Sequence, residues 1–375
     1  MRLAFFSPHY GTLGGVQLIV DVLSRAALGA GHDVTAIVDA RADAAPAAAM
    51  EIGLYPFPLR ARELRRVRRF GHRFPATAVR LVRAIRACAP DVVSIHCSRQ
   101  FAPYVAFLRG ATRIPQVLNL QEGAAPPGTP ENRRLFRMLV RAADAVAACS
   151  AESARYAAEV GGAERVLIVS NGYDPSEFGP GPVHIHSRPY ILGVGRLEEQ
   201  KGFDVLIRAF ARLGRDDIDL LLAGDGSRRA TLTSLAATEG VADRVHLMGA
   251  TDRPTTVSLY RGASVVACPS RFEGLPLVCV EALALGCTVV ASAVNGIPEV
   301  IRHEETGLLV PADDVGALAT ALRRALDAPD TMRGLGARGR AFVEHAYSWD
   351  VIARAYLGLC AEVASGTLRH AGVGG

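Results

Sequence analysis

The chain of 375 residues is half apolar and 21% charged, which excludes a disordered polypeptide and leaves room for two domains, each with a buried core. Its 42 basic and 37 acidic residues leave a net charge of +5, too mild to define a polyanion-binding protein as a whole, so charge must act locally. Seven cysteines, an odd number in apolar contexts with no C-x-x-C pair, read as reduced core residues of a cytoplasmic protein, and the apolar runs are too short for a signal peptide or for the roughly 20 residues of a spanning helix.

Residues 3–6 read as a short buried strand, Gly11, Gly14 and Gly15 as a flexible loop, 16–28 as a helix and 32–38 as the next strand. That order predicts the opening of a doubly wound sheet, in which ligands gather at the carboxyl ends of strands. Gly14-Gly15 lacks the G-x-G-x-x-G spacing of the dinucleotide fingerprint. Residues 60–86 are the most basic segment, with ten arginines and Glu63 as the single acid. Two readings stand: a solvated helical face, or a face attracted to anionic lipid headgroups with Leu64, Val67 and Phe70 on another side. Nucleic-acid binding is not expected, because no aromatic platform or binding module accompanies the arginines. Strands follow at 91–96, ending in His96, and within 114–123, which runs out into Gln121 and Glu122. A further strand at 145–148 leads to Ser150, suited to cap a helix. The strand at 166–169 then leads to a turn holding Asn171.

Residues 179–189 lack periodicity and read as a linker. Its His184 and His186 have no third ligand nearby in sequence, so they are not expected to hold a metal. The second half restarts the scheme, with strands at 190–194, 218–223, 245–248, 265–268 and 288–291 and helices at 203–213, 315–326, 331–344 and 349–359. Asp217-Ile218-Asp219 spells the D-x-D of metal-dependent transferases, but it enters a buried strand and is expected to be structural. Arg196 and Lys201 flank a turn at the end of a strand, where both side chains can reach one point; a planar fork and a point charge there suit the oxygens of a leaving diphosphate. Glu273 and Glu281 stand eight positions apart. Gly274 and Pro276 make the first part a turn, Pro276 suits the first helical position, and the apolar run 277–285 reads as a helix stopped by Gly286. A helix start offers unpaired N–H groups and the positive end of the dipole to an anionic, oxygen-rich ligand.

Three blocks occur in order, G-R-L-E-E-Q-K-G at 195–202, A-G-D-G at 223–226 and the E-x7-E pair at 273–281. Together they resemble the carboxyl-terminal half of the retaining glycosyltransferases of family 4 (glycosyl transferases group 1), and the resemblance runs from Gly14-Gly15 to about Trp349. It implies an α/β protein of GT-B architecture, two Rossmann-like domains facing across a cleft. The expected bounds are 1–180 for the acceptor-side domain, 190–347 for the donor domain and 348–363 for a helix crossing back to the first. It implies that Gly15, and after it Gly14, bring backbone amides to the donor phosphate. Gly224, Asp225 and Gly226 would house the nucleoside, with Met248 beside the base. Glu281 would accept hydrogen bonds from the ribose hydroxyls, Glu273 would contact the transferred sugar, and the amides of Gly274 and Leu275 would lie near the diphosphate. Many relatives carry a histidine where this chain has Gln121, which donates a hydrogen bond but cannot titrate near neutral pH. His96, Gln121, Glu122 and Asn171 are assigned to the acceptor side.

The sequence thus predicts a hexosyltransferase that moves a sugar from a nucleoside diphosphate sugar to a lipid, glycan or small-molecule acceptor. It is expected to need neither metal nor cofactor, and to work in the cytoplasm or at the inner face of the membrane, which residues 60–86 would touch. The competing readings are a non-catalytic sugar-nucleotide-binding subunit and a sugar-nucleotide epimerase or hydrolase on the same fold.

Overall fold

The computed structural model describes residues 1–8, 15–39, 49–52, 64–121 and 130–367. The chain divides into two units, Met1–Ser170 with Asp350–Gly375, and Asn171–Trp349.

Unit 1 is built on a seven-stranded sheet of β1 (Arg2–Ser7), β2 (Asp33–Asp39), β3 (Ala49–Ile52), β4 (Val92–Ile95), β5 (Gln116–Leu120), β6 (Ala145–Ala148) and β7 (Val166–Ile168), in the order β3-β2-β1-β4-β5-β6-β7. Every pairing is parallel. Strands β4, β5 and β6 are buried at every position, as expected when helices cover both faces of a sheet and the strands become continuous apolar runs. The connecting helices are α1 (Gly15–Gly29), α2 (Leu64–Cys88), α3 (Ala102–Thr112), α4 (Pro130–Arg141) and α5 (Ala151–Tyr156). Ser150 caps α5 through a hydrogen bond from the Ser153 N–H, as its place after β6 suggests. The basic segment forms α2. From residue 71 onward its Ala78, Leu81, Val82, Ala84 and Ile85 are buried in the core, while Arg80, Arg83 and Arg86 face solvent.

Unit 2 repeats the plan with β8 (Tyr190–Val194), β9 (Asp219–Ala223), β10 (Val245–Gly249), β11 (Val265–Cys268), β12 (Val289–Ser292) and β13 (Leu308–Val310), all parallel, in the order β10-β9-β8-β11-β12-β13. Its helices are α6 (Phe203–Leu213), α7 (Arg229–Thr238), α8 (Arg253–Gly262), α9 (Leu277–Ala284), α10 (Ile297–Val300), α11 (Val315–Asp327) and α12 (Pro329–Ala346). Helix α6 turns Phe203, Leu206, Ile207, Phe210 and Leu213 inward, and burying each such side chain contributes about 1.5–3 kcal/mol. The strand order reverses between β8 and β11, so the loops at their carboxyl ends diverge and leave a crevice there. The final helix, α13 (Trp349–Ser365), groups with unit 1 from Asp350 onward, and its Tyr356 hydroxyl lies 2.7 Å from the Ser94 hydroxyl of β4. Among the described residues no helix is long and apolar enough to cross a membrane.

Candidate functional site

The crevice of unit 2 is assembled by close backbone approaches that only glycine permits. After β8 a single turn, Glu199–Lys201, ends at Gly202, whose φ is 64°. A Cβ on Gly202 would stand 2.0 Å from the carbonyl oxygen of Pro269, so the turn is pressed against the loop that leaves β11. That contact brings Lys201 Nζ to 2.6 Å from Glu273 Oε1, an oxygen that also accepts a 2.7 Å hydrogen bond from the Ser270 hydroxyl. The Glu273 N–H donates to Asn295 Oδ1 at 2.9 Å, and the Gln200 amide donates to the Phe272 carbonyl. Glu273 is buried, and its Oε2 has no hydrogen-bond partner among the described residues. Burial works against the Lys201 charge, yet the facing Glu273 carboxylate outweighs it and holds the ammonium above the usual lysine range. Lys201 therefore keeps its charge in the buried crevice, and removing either partner would leave the other without its counterpart.

Glu281 lies on α9 and is also buried. Arg253 donates to its Oε1 at 2.5 Å and Tyr260 to its Oε2 at 3.1 Å. Burial pushes its carboxyl above the ordinary value, with Arg253 and Tyr260 acting in the opposite sense. Arg253 continues to Glu177 at 2.7 Å and lies over the Phe178 ring, 4.9 Å from its centre. Both Glu281 oxygens thus have protein donors, and a carboxylate keeps further lone pairs for a ligand hydroxyl. Pro276 takes the position before the helix, with φ −73° and ψ 119°, one residue earlier than the sequence suggests. The first N–H groups of α9 consequently begin at Leu277.

At the ends of β9 and β10, Gly224 donates its N–H to the Gly249 carbonyl at 2.8 Å, and a Cβ on Gly224 would collide with the Gly195 carbonyl oxygen at 1.9 Å. The turns after β8, β9 and β10 are therefore locked together. Asp225 takes the Gly226 N–H at 2.8 Å, and Met248 is 40% exposed. Arg196 is exposed and makes no ion pair among the described residues. The D-x-D acids lie at the opposite, amino-terminal end of β9, where Asp217 pairs with Arg215 at 2.7 Å. A groove of about 400 Å³ bordered by Pro189, Asp217, Ser264 and Thr288 lies at that same end, away from Lys201.

The family profile described as Glycosyltransferase Family 4 matches residues 13–177, and that described as Glycosyl transferases group 1 matches residues 181–342. The chain belongs to glycosyltransferase family 4. It is 34% identical to the D-inositol 3-phosphate glycosyltransferase of Nocardia farcinica over 252 residues, 61% of this chain and 55% of that one. The chain spans little more than half the length of the curated relatives it matches. In fold it is similar to sucrose-phosphate synthase from Thermosynechococcus elongatus, with a TM-score of 0.82, 24% identity and coverage of 97% and 99% of the two chains. It is similar too to Anabaena HepE in complex with UDP and glucose, with a TM-score of 0.82, 19% identity and coverage of 96% and 99%. The α/β fold with two parallel-sheet Rossmann-like halves is that of the GT-B glycosyltransferases.

Within this family-4 chain, unit 2 brings Lys201, Glu273, Gly274 and Leu275 into one loop cluster, and Asn171 joins them. The Asn171 side-chain amide donates to the Leu275 carbonyl at 3.1 Å, while its Oδ1 is buried without a partner. Asn171 therefore groups with unit 2 and pins the loop before α9, rather than closing the first domain. In unit 1, Gly14 and Glu122 lie outside the described residues, and Gly15 opens α1. Gln121 donates to Asn119 Oδ1 at 2.5 Å. His96 is 1% exposed, 2.7 Å from the Ser94 hydroxyl through Nε2, and burial pushes its pKa down to about 3. It is a neutral interior imidazole rather than a side chain on an open surface. Ser270, Asn295, Arg253, Tyr260 and Glu177 go unread in the sequence. One signal exists for Arg253: a cation in the first turn of a helix opposes the dipole and needs a specific carboxylate nearby.

Proposed function

We propose that this chain is a retaining glycosyltransferase that moves a hexosyl group from a nucleoside diphosphate sugar to an acceptor hydroxyl, with no metal ion at the reacting centre. The bond between the anomeric carbon and the diphosphate oxygen breaks, the acceptor oxygen bonds to that carbon on the same face, and its proton passes to the departing diphosphate. Negative charge grows on the leaving oxygen, and fixed cations aimed at that point lower the barrier most effectively. Lys201 and Arg196 supply them. The observation that carries the reading is the Lys201–Glu273 pair, 2.6 Å apart at the carboxyl ends of β8 and β11. It fixes the ammonium against the loop that leads into α9 and leaves Glu273 Oε2 for a sugar hydroxyl. UDP and glucose bound to the structural neighbour HepE support a nucleotide sugar as donor. The D-x-D acids, engaged at the far end of β9 with Arg215 and with histidines, support a reaction centre that relies on Lys201 and Arg196. The exposed arginines of α2 favour an acceptor that carries phosphate.

The test is transfer from a panel of nucleoside diphosphate hexoses, in EDTA, to acceptors with and without a phosphate group, with product anomers assigned by NMR. The wild type is expected to give a glycoside of unchanged anomeric configuration. Lys201→Met is expected to lower kcat by about 10²–10³, the range for losing one charge-stabilising donor. Binding of nucleotide with no transfer to any acceptor would favour the non-catalytic subunit, and release of free sugar alone would favour a hydrolase.

A further inference from the structure

At the amino-terminal edge of the unit 2 sheet, far along the strands from Lys201, three side chains converge that the transfer reaction does not use. Asp219 opens β9, His246 is the second residue of the neighbouring edge strand β10, and His186 lies in the segment that leads into β8. His186 Nε2 is 2.7 Å and His246 Nε2 3.1 Å from the same oxygen, Asp219 Oδ2, and all three atoms fall within 4.8 Å of one another. Arg188 takes the other oxygen, Oδ1, at 3.3 Å, which orients the carboxylate and leaves Oδ2 facing the imidazoles. The His186 ring is itself held edge-on against the buried Tyr190, 5.7 Å between centres.

We propose that His186, Asp219 and His246 bind one divalent transition-metal ion of the zinc type, which clips the segment before β8 to the edge of the sheet. Two imidazoles and a carboxylate suit Zn²⁺ or Co²⁺ and not Mg²⁺ or Ca²⁺, which prefer all-oxygen shells. Ligands about 2.0–2.1 Å from a tetrahedral Zn²⁺ stand about 3.3 Å apart. The observed separations of 2.7 and 3.1 Å reach that with outward shifts of a few tenths of an ångström. Each ring binds the metal as the neutral tautomer that carries its proton on Nδ1, so that Nε2 turns its lone pair to the metal and no imidazolate forms. His246, 38% exposed, leaves one side open for a water as fourth ligand. Asp217 pairs with Arg215 and stays out of the cluster, so D-x-D contributes a single acid.

The experiment uses the full chain, stripped with EDTA and exchanged into chelator-free buffer. Titration calorimetry with Zn²⁺ is expected to show one site per chain, with a melting temperature raised by about 5 °C at saturation and no response to Mg²⁺. His246→Ala and His186→Ala are each expected to weaken Zn²⁺ binding by about 100-fold or more. Co²⁺ on the wild-type chain is expected to give d–d bands without a thiolate charge-transfer band, a reading independent of whether the variants fold. No binding by Zn²⁺ in excess, equal binding by the His186→Ala/His246→Ala double variant, an equal response to Mg²⁺, or a thiolate band assigning the ion to a cysteine would each overturn the proposal.

Discussion

Arg253 shows how much of the site rests on one cation. It donates to Glu281 at 2.5 Å and to Glu177 at 2.7 Å, and it is the charge that keeps a buried Glu281 ionised. Arg253→Ala is expected to cost about 3 kcal/mol of unit 2 stability at neutral pH, the low end for breaking a buried pair because the guanidinium retains some solvent contact. The pH dependence has a definite sign. The folded carboxyl of Glu281 already lies above 4.5, and losing Arg253 raises it further. Between the unfolded and folded values the folded state holds a proton that the unfolded state has released, so stability falls as pH rises through that window. Denaturant titrations should therefore show the variant's deficit largest at pH 7 and shrinking toward pH 5; a deficit equal at both would mean that Arg253 matters through packing alone. Glu273, Glu281 and Lys201 are legible in the sequence because a motif at fixed spacing carries them. Arg253, Tyr260 and Ser270 are not, because each reaches its carboxylate through tertiary packing that no local pattern encodes.

Among elements, the single turn Glu199–Lys201 decides whether the site exists. Gly202 and Gly214 make a natural pair, with φ of 64° and 63°, so a side chain costs both about the same 1–2 kcal/mol of left-handed strain. They differ in surroundings. A Cβ at Gly214 meets nothing within 4 Å, whereas one at Gly202 would be 2.0 Å from the Pro269 carbonyl oxygen. Gly214→Ala is expected to lower the melting temperature by a few degrees and leave kcat unchanged. Gly202→Ala must push the turn off the β11 loop and carry Lys201 away from Glu273, so kcat should fall by an amount close to that of Lys201→Met. Equal kcat in the two alanine variants would show that the turn does not position the ammonium. The inner buried strands are readable from sequence, and β8, β11 and α6 fall on the residues their apolar patterns indicate. The short strands β3 and β13, and helices such as α4 with its run of charged residues, escape that reading. Helix α4 does bury Leu135, Phe136, Leu139 and Val140 at helical spacing, a stripe only four residues wide among its arginines.

The whole molecule consists of two units with separate buried cores, one around β1, β4 and β5 and one around β8, β9 and α6, and this separation predicts that they answer to different variables. His96 belongs to unit 1, where its folded pKa of about 3 stands against 6.5 for the free side chain. Below pH 6.5 the unfolded imidazole takes up a proton that the folded one refuses, so unit 1 loses about 1.4 kcal/mol per pH unit down toward pH 3. The Lys201, Glu273 and Glu281 part of the proposed nucleotide site lies within unit 2. A nucleoside diphosphate at 100 times its Kd should stabilise that unit by about 2.7 kcal/mol without changing the proton balance of His96. Hydrogen exchange separates the two effects. Lowering the pH from 7 to 5.5, after correction for intrinsic exchange, is expected to speed exchange in β1, β4 and β5, and His96→Gln to remove that sensitivity. Nucleotide at pH 7 is expected to slow exchange in the loops after β8, β9 and β11. If nucleotide protected unit 1 and left those loops untouched, the donor site would belong to the other half of the chain, and the roles given to Lys201 and Glu273 would fall with it.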